Sequence, residues 1–545
     1  MDSVKIRELE EKTSLNPTDV IVIEDYDGTK VVSVLNLQSA VQKALFFNTI
    51  DDMKAATLNE GDVVRTLGYH SINDGGASTY VIQYAPAEVD NGITIIYLDT
   101  SDTLRAHLIY NDSISPIQAG AYGDGVHNDY SILNKMIKMN LSINFPAKNF
   151  YIGENLYLKL NSDTKVNFNN ATLSGTGGIQ LGLDNACDDV YISNLTFKGT
   201  SIRLDSKATR IHISDCKFYT NTGIEIHEAD GIYISNCVFG TNAIPVETPI
   251  YMNSGSNLDI SNCSFEFTKI GINIATYPCQ SATVDNWASN INITNCNFTA
   301  TGKSKSYGIR VGSVKKVTTI SNCSIYKAET AIGLNPNAQI SMSISDISMC
   351  DCPIGISTDG GATASTAILH LSGMIEFINN TGTFAYVFGV GGAKIINDAS
   401  YRLDTSERIR LGLSRSNNTV YTKESYTTVG DELFVSTTGY GLLDLGASYI
   451  TGDCYPLFDA SIVVNSSNYY IKNITTVDPS HTSVGYKGYT GQVLSLYSRN
   501  GSVLYVNRSD GNVKLRGSLA TYLQLQANKP VKIKYNGAYW YVIEY

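Results

Sequence analysis

Arg203, Asp205, Glu225, His227, Glu228 and Asp230 bring carboxyl, imidazole and guanidinium groups into one short stretch of the chain. Two carboxyls held apart on a common surface can hydrolyse a glycosidic bond. One protonates the leaving oxygen, and the other activates water or attacks the sugar carbon. An imidazole adds a base or a metal ligand, and a guanidinium adds a fork for anions. A plainer reading is that Arg203–Asp205 and Glu225–His227 are solvated surface pairs of small energetic worth. The choice depends on whether the fold lines these side chains along one face.

The elements that would do so are written in a phrase that occurs seven times. It reads Ile192-Ser193-Asn194-Leu195, Ile213-Ser214-Asp215-Cys216, Ile234-Ser235-Asn236-Cys237, Ile260-Ser261-Asn262-Cys263, Ile293-Thr294-Asn295-Cys296, Ile320-Ser321-Asn322-Cys323 and Ile344-Ser345-Asp346-Ile347. The fourth positions, 195, 216, 237, 263, 296, 323 and 347, are separated by 21, 21, 26, 33, 27 and 24 residues. Repeats of this length mark solenoids or propellers. Apolar and polar residues alternate on either side of an Asn or Asp that tolerates a left-handed turn, as in Ile211-His212-Ile213 and Cys216-Lys217-Phe218. Strand, Asn turn and strand make one coil of a parallel β-helix, so the fold class is all-β. His212 alternates with two isoleucines and reads as an outward polar residue.

The strand after each Cys-bearing one turns Ile202/Leu204, Ile224/Ile226, Ile250/Met252 and their equivalents inward, which sends the residues between and after them outward. One outer row is then Gln180, Arg203, Glu225, Tyr251, Asn273, Arg310, Gly333 and Gly355; the next is Gly182, Asp205, His227, Asn253, Ala275, Gly312, Asn335 and Ser357. Asp205 and Glu225 differ by one coil and two residues, which puts their backbones roughly 8 Å apart. Side-chain reach then allows either the ~5–5.5 Å of a retaining pair or the ~6.5–9.5 Å of an inverting one. Asp205, Glu225, His227, Glu228 and Asp230 are the catalytic candidates; Arg203, Tyr251, Asn253, Asn273 and Arg310 are the substrate-binding candidates. Tyr277 and Trp287 offer further apolar faces to sugars, and Asp285, Glu266 or Glu329 could act in a site between chains.

With a net charge of −11 the chain lacks the basic footprint of a nucleic-acid binder. No apolar run reaches ~18 residues, so no membrane insertion is expected. The opening Met1-Asp2-Ser3-Val4-Lys5-Ile6-Arg7 lacks a signal peptide's apolar stretch, which predicts synthesis in the cytoplasm. Of ten cysteines, Cys216, Cys237, Cys263, Cys296 and Cys323 hold one place in successive units. Stacked strands ~4.8 Å apart exceed the ~3.8 Å Cβ separation of a disulfide, so they read as buried thiols. Cys350 and Cys352 extend that core. With no Cys-x-x-Cys pair and no nucleotide fingerprint in Gly120-Ala121-Tyr122-Gly123-Asp124-Gly125, neither metal nor cofactor is expected.

Five segments follow from composition. Residues 1–45 form a small module with strands Val20–Glu24 and Lys30–Val34 about an Asp27-Gly28 turn and a helix through Leu37–Leu45. Residues 46–112 form a small α+β unit whose first helix, Ile50–Thr57, starts at a cap on Asp51 or Asp52. Residues 113–400 hold the β-helix, with a helix from Tyr130 to Met139 closing its start. Residues 401–429 link to 430–545, where Ser-Arg-Asn-Gly and Ser-Asp-Gly-Asn turns and the alternating Val531–Val542 hairpin predict a β-sandwich.

Gly120-Ala121-Tyr122-Gly123-Asp124-Gly125 before a helix, followed by Asn144-Phe145-Pro146, resembles the start of pectate-lyase-like right-handed β-helices. Gly61-Asp62-Val63-Val64-Arg65-Thr66-Leu67-Gly68-Tyr69 with Asn73-Asp74-Gly75-Gly76 resembles a module preceding that fold in phage receptor-binding proteins. Tyr535-Asn536-Gly537-Ala538-Tyr539-Trp540 is similar to the last hairpin of phage fibres. The resemblance is to bacteriophage tailspikes and pre-neck appendages. It implies a homotrimer on the phage tail, attached to tail or neck proteins through residues 1–45. It also implies binding, and in many members depolymerisation, of a surface polysaccharide or teichoic acid. The family's catalytic carboxylates carry no shared linear motif. Glycoside hydrolase, polysaccharide lyase, teichoic-acid phosphodiesterase and non-enzymatic adhesin therefore all remain open, with hydrolysis the simplest.

Overall fold

The computed structural model describes residues 45–274 apart from 154 and 163, most of 288–358, residues 368–378, a hairpin within 20–33, and separate strands from there to 544. It divides into two compact units, residues 1–123 with 131–144, and residues 124–130 with 145–545.

In the first unit, Val20–Asp25 and Gly28–Ser33 pair antiparallel about the expected Asp27-Gly28 position. The helix expected within 37–45 lies outside the described residues. A five-stranded sheet runs in the order Leu45–Phe47, Val63–Thr66, Thr79–Tyr84, Ser101–Ile109, Ile95–Leu98. The first helix is Ile50–Lys54, and its N-cap is Thr49 rather than Asp51 or Asp52. The Thr49 hydroxyl accepts from the Asp52 N–H while the Asp52 carboxylate accepts from the Thr49 N–H, a reciprocal box that the sequence offers as Thr-x-x-Asp. The Asp74 carboxylate accepts backbone N–H groups of Tyr69, His70, Ser71 and Gly76, which fixes the loop. The later helix spans Tyr130–Lys138.

The second unit is a coil of three parallel ladders. In the first, Tyr157–Leu160, Gly178–Leu181, Ser201–Leu204, the start of Thr222–Ser235, the start of Thr248–Ser261, Ile270–Ile274, Tyr307–Val311 and Thr330–Leu334 pair in succession. Parallel pairing continues beyond residue 400, through Ile409–Ser414 and Leu433–Thr438 to Tyr455–Asp459, so strands of the coil occupy the expected linker and the start of the expected tail domain. Nearer the C-terminus, Val531–Tyr535 and Trp540–Glu544 form the expected antiparallel hairpin within a five-stranded sheet. The two turns expected at 498–501 and 509–512 lie outside the described residues.

The repeated phrase is the corner of each coil. Asn194, Asp215, Asn236, Asn262, Asn295, Asn322 and Asp346 all have φ between 52 and 55°. Their backbone N–H groups bond the next coil up, as in Asp215 to Ser235 and Asn236 to Ser261, both 3.1 Å. Inside that corner lie buried cysteines, none in a disulfide among the described residues. Each donates to a carbonyl two residues before it, 3.2 Å for Cys216 to Ser214. The neighbouring Cys263 thiol and burial push the Cys296 thiol up to about 12, so it stays protonated and inert. Beside them Phe197, Phe218, Phe239, Phe265 and Phe298 stack 4.6–4.8 Å apart with planes within 8°.

Cys350 and Cys352 do not share a face. The strand ends at Cys350, Asp351 turns with φ 52°, and only Cys352 enters the core, where its thiol donates to the Ile325 carbonyl. Two residues apart means one face only while a strand continues, and here a left-handed residue intervenes.

Candidate active site

The outer row forms as the alternation predicts. Gln180 pairs with Arg203, Arg203 with Glu225, Glu225 with Tyr251, Tyr251 with Asn273, Asn273 with Arg310 and Arg310 with Gly333. The next partner is Ser357, not Gly355, because Ile332 faces Ile356. Lys159 extends the row at its lower end. Ile202, Leu204, Ile224, Ile226, Ile250 and Met252 are fully buried beneath it. Their burial keeps the polar side chains pointing away from the bore.

In the second row a bulge after Ile226 sets His227 opposite Ser254 rather than Asn253. Asp205 still lies just past the Arg203 rung, its N–H on the Leu181 carbonyl. Glu228 is exposed with φ 62° and turns the corner. Asp230 therefore begins the next ladder, opposite Ser256, and accepts from the Ser256 hydroxyl and, at 2.7 Å, the Asn257 amide. The structure thus gathers Arg203, Asp205, Glu225 and His227, with Tyr251 on the next rung, and places Asp230 on another sheet. Glu329 accepts from the Lys305 N–H and Glu266 lies on the third ladder. Tyr277, Asp285, Trp287, Ala275 and Asn335 lie outside the described residues.

Charge and burial divide the cluster into two halves. Asp205 is 6% exposed and accepts from Arg203 Nε at 3.1 Å and from Gln180 Nε2 at 2.8 Å. It fixes the guanidinium. Glu225 is more open and meets His227 Nε2 at 3.6 Å. That separation is longer than an ordinary hydrogen bond. His227 Nε2 is buried and has no hydrogen-bond partner among the described residues. The imidazole, with some help from Arg203, holds the Glu225 carboxyl below the usual carboxylate range, against a burial that would raise it. Farther up the row, Asn273 is buried with Oδ1 lacking a partner among the described residues. Arg310 lies 5.0 Å over the Tyr307 ring. Gln180 was placed in the row by alternation, but its role as a support for Asp205 was missed. Nothing in linear spacing marks a bond between residues 25 apart.

Among the described residues no group of three or more His, Cys, Asp or Glu could hold a metal ion. No helix among them is long and apolar enough to cross a membrane.

The family model described as "Right handed beta helix region" matches residues 155–313, the stretch that carries this row. The chain holds a right-handed β-helix. A comparison with curated proteins gave no match. Among solved structures, the β-helix is similar to tailspike gp49 of Acinetobacter baumannii bacteriophage Fri1, a capsular polysaccharide depolymerase, at 10% identity over 92% of this chain and 91% of that one, with a TM-score of 0.35. Similar too are the gp42 tailspike of Acinetobacter phage vb_AbaP_AS12 (12% identity, 90% and 86% coverage, TM-score 0.36) and a mutant tailspike of Escherichia coli bacteriophage HK620 in complex with a pentasaccharide (12%, 83% and 94%, TM-score 0.34).

Proposed function

We propose that this chain is a phage tail spike that binds a bacterial surface polysaccharide along the outer row and cleaves it by glycoside hydrolysis. The observation that supports it is the Glu225–His227 pair beside Arg203 and Asp205, on consecutive rungs of one groove-forming ladder with Tyr251 next in line. A linear polymer suits such a ladder, because polar groups recur at one rise of ~4.8 Å.

In this reading Glu225, held ionised, activates water or attacks the sugar carbon. His227, beside it, is the residue that carries a proton to the leaving oxygen. Asp205 and Gln180 position Arg203, whose guanidinium binds sugar oxygens. Tyr251 offers its ring to a pyranose face. The homotrimer and attachment through residues 1–45 follow from the sequence resemblance.

The test is incubation of the purified protein with host capsule or wall. New reducing ends support hydrolysis. An unsaturated, ultraviolet-absorbing end would replace it with lyase chemistry. Released phosphomonoesters would mean a phosphodiesterase, and tight binding without fragments an adhesin.

A further inference from the structure

The link from the first ladder to the second tightens at the Glu225 coil. Leu181, Leu204, Ile226 and Met252 face one another in the first ladder, and Asp188, Thr209, Asp230 and Ser256 face one another in the second. The stretches that join them are 182–187, 205–208, 227–229 and 253–255. The link therefore falls from six residues to four, and then to three on the coil that carries Glu225 and on the coil above it. On the Glu225 coil it is His227-Glu228-Ala229, with Ala229 fully buried and Glu228 exposed.

So short a link is made with strained backbone. The register shifts on both sides of His227: His227 faces Ser254, Ala229 faces Gly255, and Glu228 faces no residue of the coil above. This is a bulge whose extra residue has φ 62°. Glutamate, unlike glycine or asparagine, is disfavoured in that region, so the surrounding structure has to hold it there. The coil above makes room. Gly255 has φ 128°, and a Cβ on it would lie 2.2 Å from the Ala229 carbonyl oxygen, so only glycine fits against the bulge. Two coils are thus built around the residue that follows His227. The main chain on either side of His227 departs from the ladder, so the bulge sets the direction of its Cα–Cβ bond and with it the 3.6 Å approach of Nε2 to Glu225.

We infer that Glu228 is a positioning residue, whose left-handed backbone and not its carboxylate holds the His227 imidazole against Glu225. Glu228 then has no part in the acid–base chemistry that its place in the sequence suggests. Its effect on cleavage rests on the hydrolysis reading above; its placement of His227 does not.

The experiment compares the full chain with Glu228→Val, Glu228→Asn, Glu228→Gly and Gly255→Ala. One readout is reducing ends released from purified host capsule, resolved into kcat and KM. The other is the titration of Glu225 by NMR; its charged and titratable neighbours are His227 on its own strand, Arg203 and Asp205 on the coil below and Tyr251 on the coil above. Glu228→Val, whose β-branched side chain resists a positive φ, should lower kcat about 10–100-fold with KM little changed. Its Glu225 titration should move up toward the ordinary carboxylate value as the imidazole leaves. Asparagine and glycine accept the angle without the carboxylate, so both should restore cleavage to within about twofold of the parent and keep the parental titration. Gly255→Ala pushes on the bulge from the neighbouring coil and should reproduce the valine signature, which covers a valine protein that fails to fold. Loss of cleavage in the folded asparagine and glycine proteins, with Glu225 titrating as in the parent, makes the carboxylate the working group and overturns the assignment. Parental titration in the folded valine and Gly255→Ala proteins overturns it too. If the unaltered chain releases no fragments, the hydrolysis reading falls, and the Glu225 titration still decides whether Glu228 places His227.

Discussion

The two faces of the same strands obey opposite rules. Inward, apolar side chains repeat along most rungs: Ile202, Ile224, Ile250, Ile272, Ile309 and Ile332 in one file, and five phenylalanines stacked within 8° of parallel in another. Outward, along Gln180, Arg203, Glu225, Tyr251, Asn273 and Arg310, no side chain recurs on adjacent rungs. The backbone is common to both, so the contrast is chemical. Repetition inside satisfies close packing, whereas the outer row is released from that demand and carries charge where the bore has none. In a solenoid, stability is read from what repeats and function from what departs.

Several substitutions would break or sharpen that contrast. Glu225→Gln should lower fragment release by about 10²–10⁴-fold, measured by reducing ends, while thermal unfolding stays near that of the parent. Phe239→Ala, in the middle of the ring stack, should cost about 3–5 kcal/mol in denaturant unfolding and spare binding in whatever protein remains folded. Asn236→Ala, forced to hold a φ of 54°, should cost about 1–2 kcal/mol, and Asn236→Gly less, since glycine adopts that angle freely.

The smallest effect is on pH dependence. Glu225 is held below the usual carboxylate range, so its contribution to stability is full above that range and is lost as pH falls through the depressed value. In His227→Gln the main cause of the depression is gone. The acid limb of Glu225 titration, followed by NMR, should then move up toward the ordinary carboxylate value.

The coil was legible because its signal is periodic. An Asn or Asp at one position in seven units demands one corner geometry, and alternation on either side settles which residues face the bore. The outer row followed from the same alternation. Legibility failed where geometry leaves the period. The bulge after Ile226 moved His227 opposite Ser254, and the turn at Glu228 carried Asp230 to another sheet. Asp351 likewise separated Cys350 from Cys352. Beyond 400 the phrase disappears, yet parallel strands continue, because pairing of main chain needs no particular side chain at the corner. The division of labour between Asp205 and Glu225 was also hidden, since it depends on burial and on Gln180 reaching across a coil.

The central claim is that a glycan lies along the Arg203–Glu225–Tyr251 row. A crystal structure of the Glu225→Gln protein soaked with oligosaccharide from the host polymer tests it most directly. Sugar rings should run parallel to the coil axis, with one against Tyr251 and a glycosidic oxygen within hydrogen-bonding reach of His227. Saturating oligosaccharide bound on another ladder, with this row bare, would contradict the account.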